Sequence, residues 1–557
     1  EVPAALTVED CWKLVNTTEE TQRNCMMLEN VCYGEEELWL LNMAESGVFG
    51  TLTYAECAYI HDLRELMFSK TYYYNQWRLR HHLVTDGNLY PTHGLGPVAQ
   101  YMGIDRGDRF NHMVSMSSLQ AGLDEHAATV EPDNEFYGKT GFAHGDMVNT
   151  LIKTAKGRSI LVQHDVVTAR PYNRINMLAG TKAFHVGYPS RMSVKGKGHG
   201  YLKEDDYTYP EPTRFKFGKT EFDGQKTSRI EEWPSWDLPV LKWGKKQGGV
   251  IGFSHSGWGL EIPGDSLPNF NMPRFDGIGA NEYVVDVCHD VCDFISSVDT
   301  PIVWELAIWY HTLNCGYDCR ISGETDFPCI YGDRVGLGRI YVKLPKGTPL
   351  NYESWVNGLK DGKSYVGDGL SHLMDFQVNG LEVGSRGDGG RASYLAIAGG
   401  KALKVSAKVA ALLAKTPNEA IRQRPLNQKP YWHVERARVG NTNRVPVELI
   451  VNGESVARKE IPADGELSDI EFDYELKKSS WVALRIFPTC HTNPIFVEVD
   501  GKPIRANRKS FEWCIEAVDV CWKSKVNNIR PHERLAARAA FDFAIQQYRK
   551  RMAEMED

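Results

Sequence analysis

The sequence predicts a multidomain protein of α/β and α+β class, and three observations lead to this prediction. The first 200 residues favour a helix pair followed by strands. From Trp236 onward strands alternate with helices, which is typical of β/α units around a parallel sheet. From Trp432 short alternating strands are separated by Asn-Gly and Asp-Gly pairs, which favours a small antiparallel β-sandwich.

In the first region, Thr7 is a candidate N-cap for a helix that extends to about Leu28. A second helix is predicted over 35–45, followed by Gly47 as a left-handed C-cap. The run 51–60 alternates and predicts a strand. Further strands are predicted at 113–116, 159–164 and 174–178.

In the second region, a helix is predicted over 238–246 and buried strands over 250–254 and 281–287. Pro301 is suited to the first turn of a helix over 302–313. Two more strands of the same parallel sheet are predicted at 320–322 and 339–343.

In the third region, Asn452-Gly453 predicts a type I′ turn between strands 445–451 and 454–461. Strands 481–487 and 495–499 follow, and Asp500-Gly501 predicts a second hairpin turn. The tail from Ser510 is helical, and its last helix covers 536–555. The predicted domains are therefore 1–206, 207–430, a sandwich at 431–508 and C-terminal helices at 509–557.

Composition limits the classes of partner. A net charge of −8 and a pI of about 6.1 give no global positive field for nucleic acid. The most apolar stretch, 395–414, is interrupted by three lysines, which predicts an amphipathic element rather than a membrane span. The 12 cysteines include two C-x3-C pairs that could bind zinc, although buried reduced thiols and a cytoplasmic location are favoured. We therefore expect neither a nucleic-acid nor a membrane partner.

Residues 88–97 concentrate titratable rings, a Pro-fixed turn and two glycines. Tyr90 and His93 can exchange protons with a ligand, and the glycines allow a ligand to approach the backbone. Trp77 and Arg78 place a planar cation beside an aromatic surface, which suits a sugar or a carboxylate. The alternative, on chemistry alone, is a loop whose rings are simply hydrogen-bonded within the fold.

About residues 1–206 resemble the α-N-acetylgalactosaminidase-type glycosidases of the Gfo/Idh/MocA oxidoreductase superfamily. The resemblance is carried by several motifs: Met26 to Asn30, Trp77-Arg78, Asn88 to Pro97, Arg106 to Phe110, Gln163-His164-Asp165, Arg170-Pro171-Tyr172 and Gly180-Thr181-Lys182. It implies the C-terminal α+β sheet domain of that fold and a sugar substrate.

The resemblance also implies a mechanism in which tightly held NAD oxidises the sugar 3-hydroxyl, the aglycone is eliminated, water adds and hydride returns. Tyr33 would then be a candidate base, with Tyr90, His93 and Arg78 binding and polarising the sugar. The sequence departs from the family in one respect. No G-x-G-x-x-G motif lies between a strand and a helix, so NAD would have to be held by another domain.

Acidic and histidine side chains follow three successive predicted strands of the second region. His255 follows the first, Asp286 and His289 follow the strand that carries Glu282, and Glu324 and Asp326 follow the third. Ligands in β/α folds gather at the carboxyl ends of strands, so these side chains are candidates for a metal site. A single histidine at a strand end is more often structural.

About residues 208–557 resemble the CehA/McbA metallohydrolases, which are similar to carbaryl hydrolase and related to PHP-type phosphoesterases. The matching motifs are Trp233 to Pro239, His255 to Trp258, Asp276 to Glu282, Trp309 to Asn314, Ser322 to Pro328 and Trp481 to Pro494. The resemblance implies a partial PHP-like β/α barrel that binds zinc or manganese.

By the same resemblance, His255 and Asp326 are the best metal-ligand candidates, followed by Glu282 and His289. The H-x-H pair that the family carries after its first strand does not occur in this sequence. Two nitrogen ligands would therefore have to come from elsewhere.

Three functional hypotheses follow. The first is a metal-dependent hydrolase of esters, carbamates or phosphoesters fused to a glycosidase-like domain, which is favoured because that resemblance covers more of the chain. The alternative is an NAD-dependent redox glycosidase. The third is a chimeric or truncated product without activity. A small-molecule or sugar substrate is expected under the first two, and a homo-oligomer is compatible with the sequence.

Overall fold

The computed structural model describes residues 5–27, 29–70, 72–202, 221–222, 225–226, 234–277, 282–326 and 336–555. The chain divides into two compact units, Glu1–Trp233 and Pro234–Asp557, called here the first and second units. The predicted junction at residues 206 and 207 lies outside the described residues.

The first unit is built on a mixed seven-stranded sheet with strand order β2-β3-β4-β1-β5-β6-β7. Only the β1–β4 pair is parallel among the named pairs of this sheet. Its strands are β1 (Leu52–Ile60), β2 (Phe110–Ser117), β3 (Val148–Thr154), β4 (Ser159–Asp165), β5 (Met177–Gly180), β6 (Ala183–Val186) and β7 (Arg191–Val194), and a two-stranded ribbon adds β8 (Glu221–Phe222) and β9 (Gln225–Lys226).

Six α-helices accompany this sheet in the part of the unit that the structure describes: α1 (Val8–Thr21), α2 (Glu35–Glu45), α3 (Arg64–Phe68), α4 (Trp77–Val84), α5 (Thr92–Tyr101) and α6 (Gly122–Ala127). One apolar core lies between the sheet and the buried faces of α2 and α5, where Leu40, Met43 and Val98 pack against Ala55 and Ile160. The predicted sequence of a helix pair followed by a sheet is confirmed, as are the exact bounds of α2.

Two of the boundaries that differ from the prediction in the first unit have a local cause. Thr7 caps α1 as expected, accepting from the Asp10 N–H at 3.1 Å, but the helix ends at Thr21 because Gln22 adopts a left-handed conformation. Strand β5 begins at Met177 rather than residue 174. Ile175 and Asn176 both have positive φ, which is incompatible with an extended strand.

The second unit begins with β/α units. Strands β10 (Gly252–Phe253), β11 (Phe294–Ser297) and β12 (Arg320–Gly323) form a parallel three-stranded sheet. The helices of this part are α7 (Asp237–Lys246), α8 (Tyr283–Asp286) and α9 (Ile302–Asn314). Apart from Trp304, every residue of α9 is buried, so this helix forms the centre of the core.

Three strand predictions in this unit were wrong. Part of the run 281–287 forms α8, because a short apolar run has too few residues for its period to separate helix from strand. Residues Arg339–Val342 form a strand, β13, but it pairs antiparallel with β14 (Ser364–Gly367) instead of joining the parallel sheet. No strand follows Asp500-Gly501 among residues 502–555, so these residues make a turn without a hairpin.

Two sheets, antiparallel except for the parallel β17–β24 pair, form a sandwich over a shared core in which Val405, Phe472, Val447 and Leu484 are buried. Its strands lie on both sides of residue 431, and besides β13 and β14 they are β15 (Ser371–Val378), β16 (Leu381–Glu382), β17 (Tyr394–Ile397), β18 (Ala402–Ala411), β19 (Arg444–Val451), β20 (Glu454–Pro462), β21 (Ser468–Glu475), β22 (Ser480–Ile486), β23 (Cys490–Thr492) and β24 (Ile495–Val499). The predicted amphipathic element at 395–414 is thus two strands, β17 and β18.

The β19–β20 hairpin is confirmed, with positive φ at both Asn452 and Gly453 as a type I′ turn requires. The remaining helices are α10 (Tyr352–Asp361), α11 (Glu419–Arg422), α12 (Arg508–Lys525) and α13 (Arg534–Ala553). The last two confirm the predicted helical tail. Within the described parts of the chain, no helix combines the length and apolar character needed to cross a membrane.

All eleven described cysteines are free. Of the two C-x3-C pairs, Cys288, Cys315 and Cys319 are buried and Cys292 is partly buried. Among the described residues, no group of cysteines has its sulfur atoms arranged to hold a metal ion. These four residues are therefore free thiols in the structure, and three of them are buried.

Candidate functional sites

In the first unit, a hydrogen-bonded chain joins Glu29, His93 and Tyr90. The His93 Nδ1 lies 2.7 Å from the Glu29 Oε1, and the His93 Nε2 lies 3.4 Å from the Tyr90 hydroxyl. Because the carboxylate can only accept, Nδ1 carries the proton and Nε2 of the neutral ring is left as an acceptor towards the tyrosine. Glu29 therefore fixes the tautomer in which His93 can take a proton.

Aromatic rings and a guanidinium surround this chain. Tyr59, from β1, stacks on Tyr90 with ring centroids 4.4 Å apart. The guanidinium of Arg78 lies 5.3 Å from the centroid of Tyr90 and 5.1 Å from that of Trp77. A cleft lined by Trp77, Arg78, Tyr90, His82 and His164 opens beside these rings. Such flat apolar faces with a few polar tips suit the alternating apolar and hydroxyl surfaces of a sugar.

The local sequence explains why these side chains meet. The Asn88 side-chain oxygen accepts from the Tyr90 N–H at 3.0 Å, which forms the turn before α5. Gly94 in the first turns of α5 faces β1 so closely that a Cβ would lie 2.6 Å from the Ala58 backbone nitrogen. Only glycine allows α5 to approach the strand this closely, so His93 is brought next to Tyr59.

The charged states of the chain follow from its contacts. Burial raises the pKa of Glu29, but the hydrogen bonds from His93 and from the Val31 N–H outweigh burial and hold that pKa below its usual value. Burial raises the pKa of the Tyr59 hydroxyl, and the positive charge of Arg78 partly opposes this. Glu29 is therefore ionised and Tyr59 neutral near pH 7.

Behind the cleft lie three buried histidines, His82, His144 and His164. The ring centroids of His82 and His144 are 4.2 Å apart, and His164 stacks against Tyr59 at 6.3 Å. Burial lowers the pKa of all three. These neutral rings form a polarisable wall behind Tyr59 without adding charge to the site.

The structure thus brings together four of the five residues predicted for this site: Tyr90, His93, Trp77 and Arg78. Tyr33 ends a short 3₁₀ helix, is 54% exposed, and has no ring contact or hydrogen bond to the other four within the described part of the chain. Sequence reasoning missed the roles of Glu29 and Tyr59. Glu29 was part of a recognised motif, but it lies 64 residues from His93, so no sequence spacing connected the two.

In the second unit, side chains at the carboxyl ends of the three parallel strands meet. His255 follows β10, Asp299 follows β11 and Asp326 follows β12, and one potential ligand atom from each lies within 4.8 Å of the others. The His255 Nδ1 donates to the Asp299 Oδ2 at 2.6 Å. This pairing of a carboxylate with a histidine is the arrangement that orients metal-binding imidazoles.

Hydrogen bonds hold the loop that carries Asp299. The carboxylate of Glu305 accepts from the Thr300 N–H at 2.9 Å and from the Trp432 Nε1 at 2.9 Å. The Thr300 hydroxyl in turn accepts from the Gly257 N–H, two residues beyond His255, at 3.0 Å. The ends of β10 and β11 are therefore tied to each other.

Carboxyl groups dominate the electrostatics of this site. The hydrogen bond to Asp299 raises the pKa of His255 to about 9, although burial opposes the shift. Burial raises the pKa of Glu324 to about 7. Asp299 is completely buried, and its Oδ1 has no hydrogen-bond partner among the described residues. A nitrogen and two carboxylates with an unpaired buried oxygen form a donor set that fits a divalent metal ion.

The structure separates the four predicted metal ligands. His255 and Asp326 lie together, whereas Glu282 lies in a second group of carboxylates with Asp237 and Asp286. The His289 Nε2 donates to the Ala540 carbonyl at 3.1 Å and its ring stacks on Phe543, so this histidine ties α13 to the core. Asp299 was missed, although an acidic residue directly after a buried strand is the same signal that identified His255.

The first unit has identifiable relatives. Residues 33–219 match the glycosyl hydrolase 109 C-terminal domain. This domain has the Gfo/Idh/MocA-type fold, so that part of the predicted fold class is confirmed. The match covers about a third of the chain and contains all five residues named above as lining the cleft, whereas Glu29 lies outside it.

Curated relatives support the same domain. A glycosyl hydrolase family 109 protein of Shewanella sp. strain MR-4 is 52% identical over 200 residues, which are 36% of this chain and 44% of the relative. The α-N-acetylgalactosaminidase of Shewanella oneidensis is 50% identical over 200 residues, again 36% and 44% of the two chains. The chain spans less than half the length of these relatives.

Solved structures resemble the chain more distantly. An inositol dehydrogenase homologue from Azotobacter vinelandii, in complex with NADH and myo-inositol, has a TM-score of 0.28 and 14% identity, covering 38% of this chain and 50% of that one. A levoglucosan dehydrogenase in complex with NADH and levoglucosan has a TM-score of 0.27 and 17% identity, covering 35% and 50%. Similarity at this level carries no argument about function.

These comparisons change the order of the functional hypotheses. The metallohydrolase was favoured from the sequence, but the relatives are glycosidases, and they support the alternative, the redox glycosidase, instead. The fold and activity of the CehA/McbA type remain a proposal for the second unit.

Proposed function

We propose that the first unit binds a sugar as the substrate-binding part of an NAD-dependent glycosidase of the α-N-acetylgalactosaminidase type. The observation that carries this proposal is the chain from Glu29 through His93 to Tyr90, set against the stacked rings of Tyr59 and Tyr90. The relatives named as glycosidases support the choice of substrate class.

Each side chain has a distinct part in this proposal. His93, held by Glu29, accepts a proton from a sugar hydroxyl at Nε2, which the fixed tautomer leaves available. Tyr90 presents its hydroxyl to the same region and Arg78 adds a fixed positive charge that polarises a bound oxygen. Trp77 and Tyr90 supply flat faces for the sugar ring.

NAD does not fit the described residues of this chain. The Gly94 and Gly96 pair lies inside helix α5, where it serves the contacts with Ala58 and Cys32 rather than a strand-to-helix turn. No other glycine turn opens a helix of the first unit after a parallel strand in its described part. The dinucleotide would therefore be bound by a further domain or a partner, and hydride transfer is not assigned to these residues.

Sugar binding by the full chain tests the proposal. We expect N-acetylgalactosamine to give saturable binding by isothermal titration or saturation-transfer NMR, and His93→Ala to weaken it about 10- to 100-fold, as loss of a hydrogen bond in a charged network predicts. His112→Ala, on the exposed strand β2, is the matched control and should change affinity less than twofold. Equal binding by both variants would exclude a role for this site.

A second function is proposed for the second unit: a metal-dependent hydrolase site at His255, Asp299 and Asp326. The meeting of these three side chains at the carboxyl edge of a parallel sheet favours it. A bound zinc or manganese ion supplies a nucleophilic water at neutral pH. In this chain His255 and Asp326 would bind the ion, and Asp299 would orient the imidazole.

Metal analysis of purified protein tests this second proposal. We expect His255→Ala and Asp326→Asn each to lower zinc content by more than tenfold, because each variant removes one of the two proposed protein ligands. Asp265→Asn, in an exposed loop, should leave the content unchanged. Retention of zinc by both site variants would contradict the assignment.

A further inference from the structure

The second unit contains another cluster of carboxylates, which is separate from the site formed by His255, Asp299 and Asp326. Asp237 is the first residue of α7, Glu282 precedes α8 and Asp286 ends it. One carboxylate oxygen from each lies within 4.8 Å of the others. No role in the proposed hydrolase site uses these residues.

The nearest cation, Lys525, balances only part of the negative charge of this cluster. The Lys525 Nζ, at the end of α12, lies 3.1 Å from the Glu282 Oε1 and 3.8 Å from the Asp237 Oδ2. The Glu282 Oε2 accepts from the Asp237 N–H at 2.9 Å. Lys242 also acts on Asp286 electrostatically, but its effect is the weakest of those on that carboxyl. The one ammonium thus contacts two of the three carboxyl groups.

An independent observation points to a ligand. Asp286 is completely buried, and neither of its carboxyl oxygens has a hydrogen-bond partner among the described residues. Buried polar atoms in folded proteins are nearly always paired, so two orphaned oxygens on one side chain are unusual. Burial and the adjacent carboxyls Glu282 and Asp237 raise the pKa of Asp286 well above its ordinary value. This shift reflects the same excess of negative charge.

We propose that Asp237, Glu282 and Asp286 bind a hard divalent cation, of the class of Mg²⁺, Mn²⁺ and Ca²⁺. Every available donor is a carboxylate oxygen, which these ions prefer, whereas zinc favours nitrogen and sulfur. A divalent ion balances the two excess negative charges and gives the Asp286 oxygens a partner. Lys525 stays bonded to Glu282 and completes the neutralisation.

The ion has a structural part in this arrangement. It links the start of α7 to both ends of α8, and the Lys525 contact extends the link to α12. A bound ion stabilises the folded state by an amount that rises with the logarithm of the free cation concentration above the dissociation constant, so the melting temperature should depend on that concentration.

The test uses the full chain with His255→Ala and Asp326→Asn already introduced, so that the proposed hydrolase site cannot contribute. After chelator treatment, we expect equilibrium dialysis with Mn²⁺ to give one bound equivalent in this background. Adding Asp286→Asn should abolish that equivalent. Saturating Mg²⁺ or Ca²⁺ should raise the melting temperature of the background by at least about 3 °C and leave the Asp286→Asn protein unchanged.

Asp237→Asn keeps the test decisive if Asp286→Asn does not fold, because the Asp237 side chain is 38% exposed and its replacement disturbs the core less. It should weaken Mn²⁺ binding at least tenfold. Absence of bound Mn²⁺ in the background, or one bound equivalent with unchanged affinity in both carboxamide variants, would overturn the proposal and indicate that protons neutralise the group. Either result is independent of sugar binding by the first unit.

Discussion

The candidate sites of the two units differ in charge. In the first unit, one carboxylate, Glu29, and one guanidinium, Arg78, stand among neutral aromatic rings. In the second unit, carboxylates outnumber the cations near them, both around His255 and around Glu282. The balanced site suits a neutral polar ligand such as a sugar, and the anionic groups suit metal ions. Local charge balance therefore distinguishes ligand classes that sequence motifs alone left open.

The largest expected difference between the two units is in how much stability each loses as the pH falls. Burial lowers the pKa of His185 to about 4 and lowers that of His82, His144 and His164 as well. A histidine with a depressed folded pKa contributes stability above its unfolded pKa of about 6.5, and this contribution is lost as the pH falls towards the folded value. For His185 alone the loss between pH 6.5 and 4 is up to about 3 kcal/mol.

The second unit has fewer such groups, mainly His311 and His491, whose pKa values burial lowers to about 4 and about 3. We therefore expect amides of the first unit to lose more protection than those of the second when hydrogen exchange is compared at pH 7.5 and pH 5. A larger loss in the second unit would show that buried histidines do not control the acid response.

Gly94→Ala tests how the site of the first unit is positioned. The new Cβ would lie 2.6 Å from the Ala58 nitrogen, and because backbone cannot move aside easily, we expect a loss of about 3 kcal/mol in unfolding free energy. The displaced helix should also weaken binding of N-acetylgalactosamine. Gly200→Ala is the control, since its Cβ meets nothing within 4 Å. Equal denaturation midpoints for the two variants would contradict the close packing of α5 on β1.

Asp299→Asn tests the corresponding positioning contact of the second unit. An asparagine loses the charge that holds the His255 ring, so we expect zinc or manganese affinity to fall about 10- to 100-fold. The pH at which metal binding is half-maximal should also shift downward, because His255 no longer has its pKa raised to about 9. Asp265→Asn serves as the control, and an unchanged pH profile in Asp299→Asn would refute an orienting role.

The smallest effect is expected for Tyr33→Phe. Tyr33 is 54% exposed and contacts neither Tyr90 nor His93. Its loss should therefore change the affinity for N-acetylgalactosamine less than twofold. Tyr90→Phe, which removes the hydroxyl beside the His93 Nε2, should have a larger effect in the same titration. A tenfold loss in Tyr33→Phe would restore the role of a base that the family resemblance implied for this residue.

Local sequence signals predicted much of the fold. Helices α2 and α9 and the β19–β20 hairpin were predicted because caps, Pro301 and the Asn452-Gly453 turn act over a few residues. The errors occurred where sequence-distant contacts decide, as in β13, whose antiparallel pairing with β14 depends on a sheet assembled from distant segments. Of the site residues, those within recognisable motifs, such as Tyr90 and His93, were found.

By itself, the sequence determined the local helices, strands and turns and the family resemblance of the first unit, because caps, turns and motif residues are encoded over short stretches. Only the tertiary structure decided which charged groups share a site. Asp299 meets His255 across 44 residues, and Glu282 meets Asp237 across 45. The physical reason is that burial excludes water from such pairs, so their energies depend on partners that chain spacing does not specify.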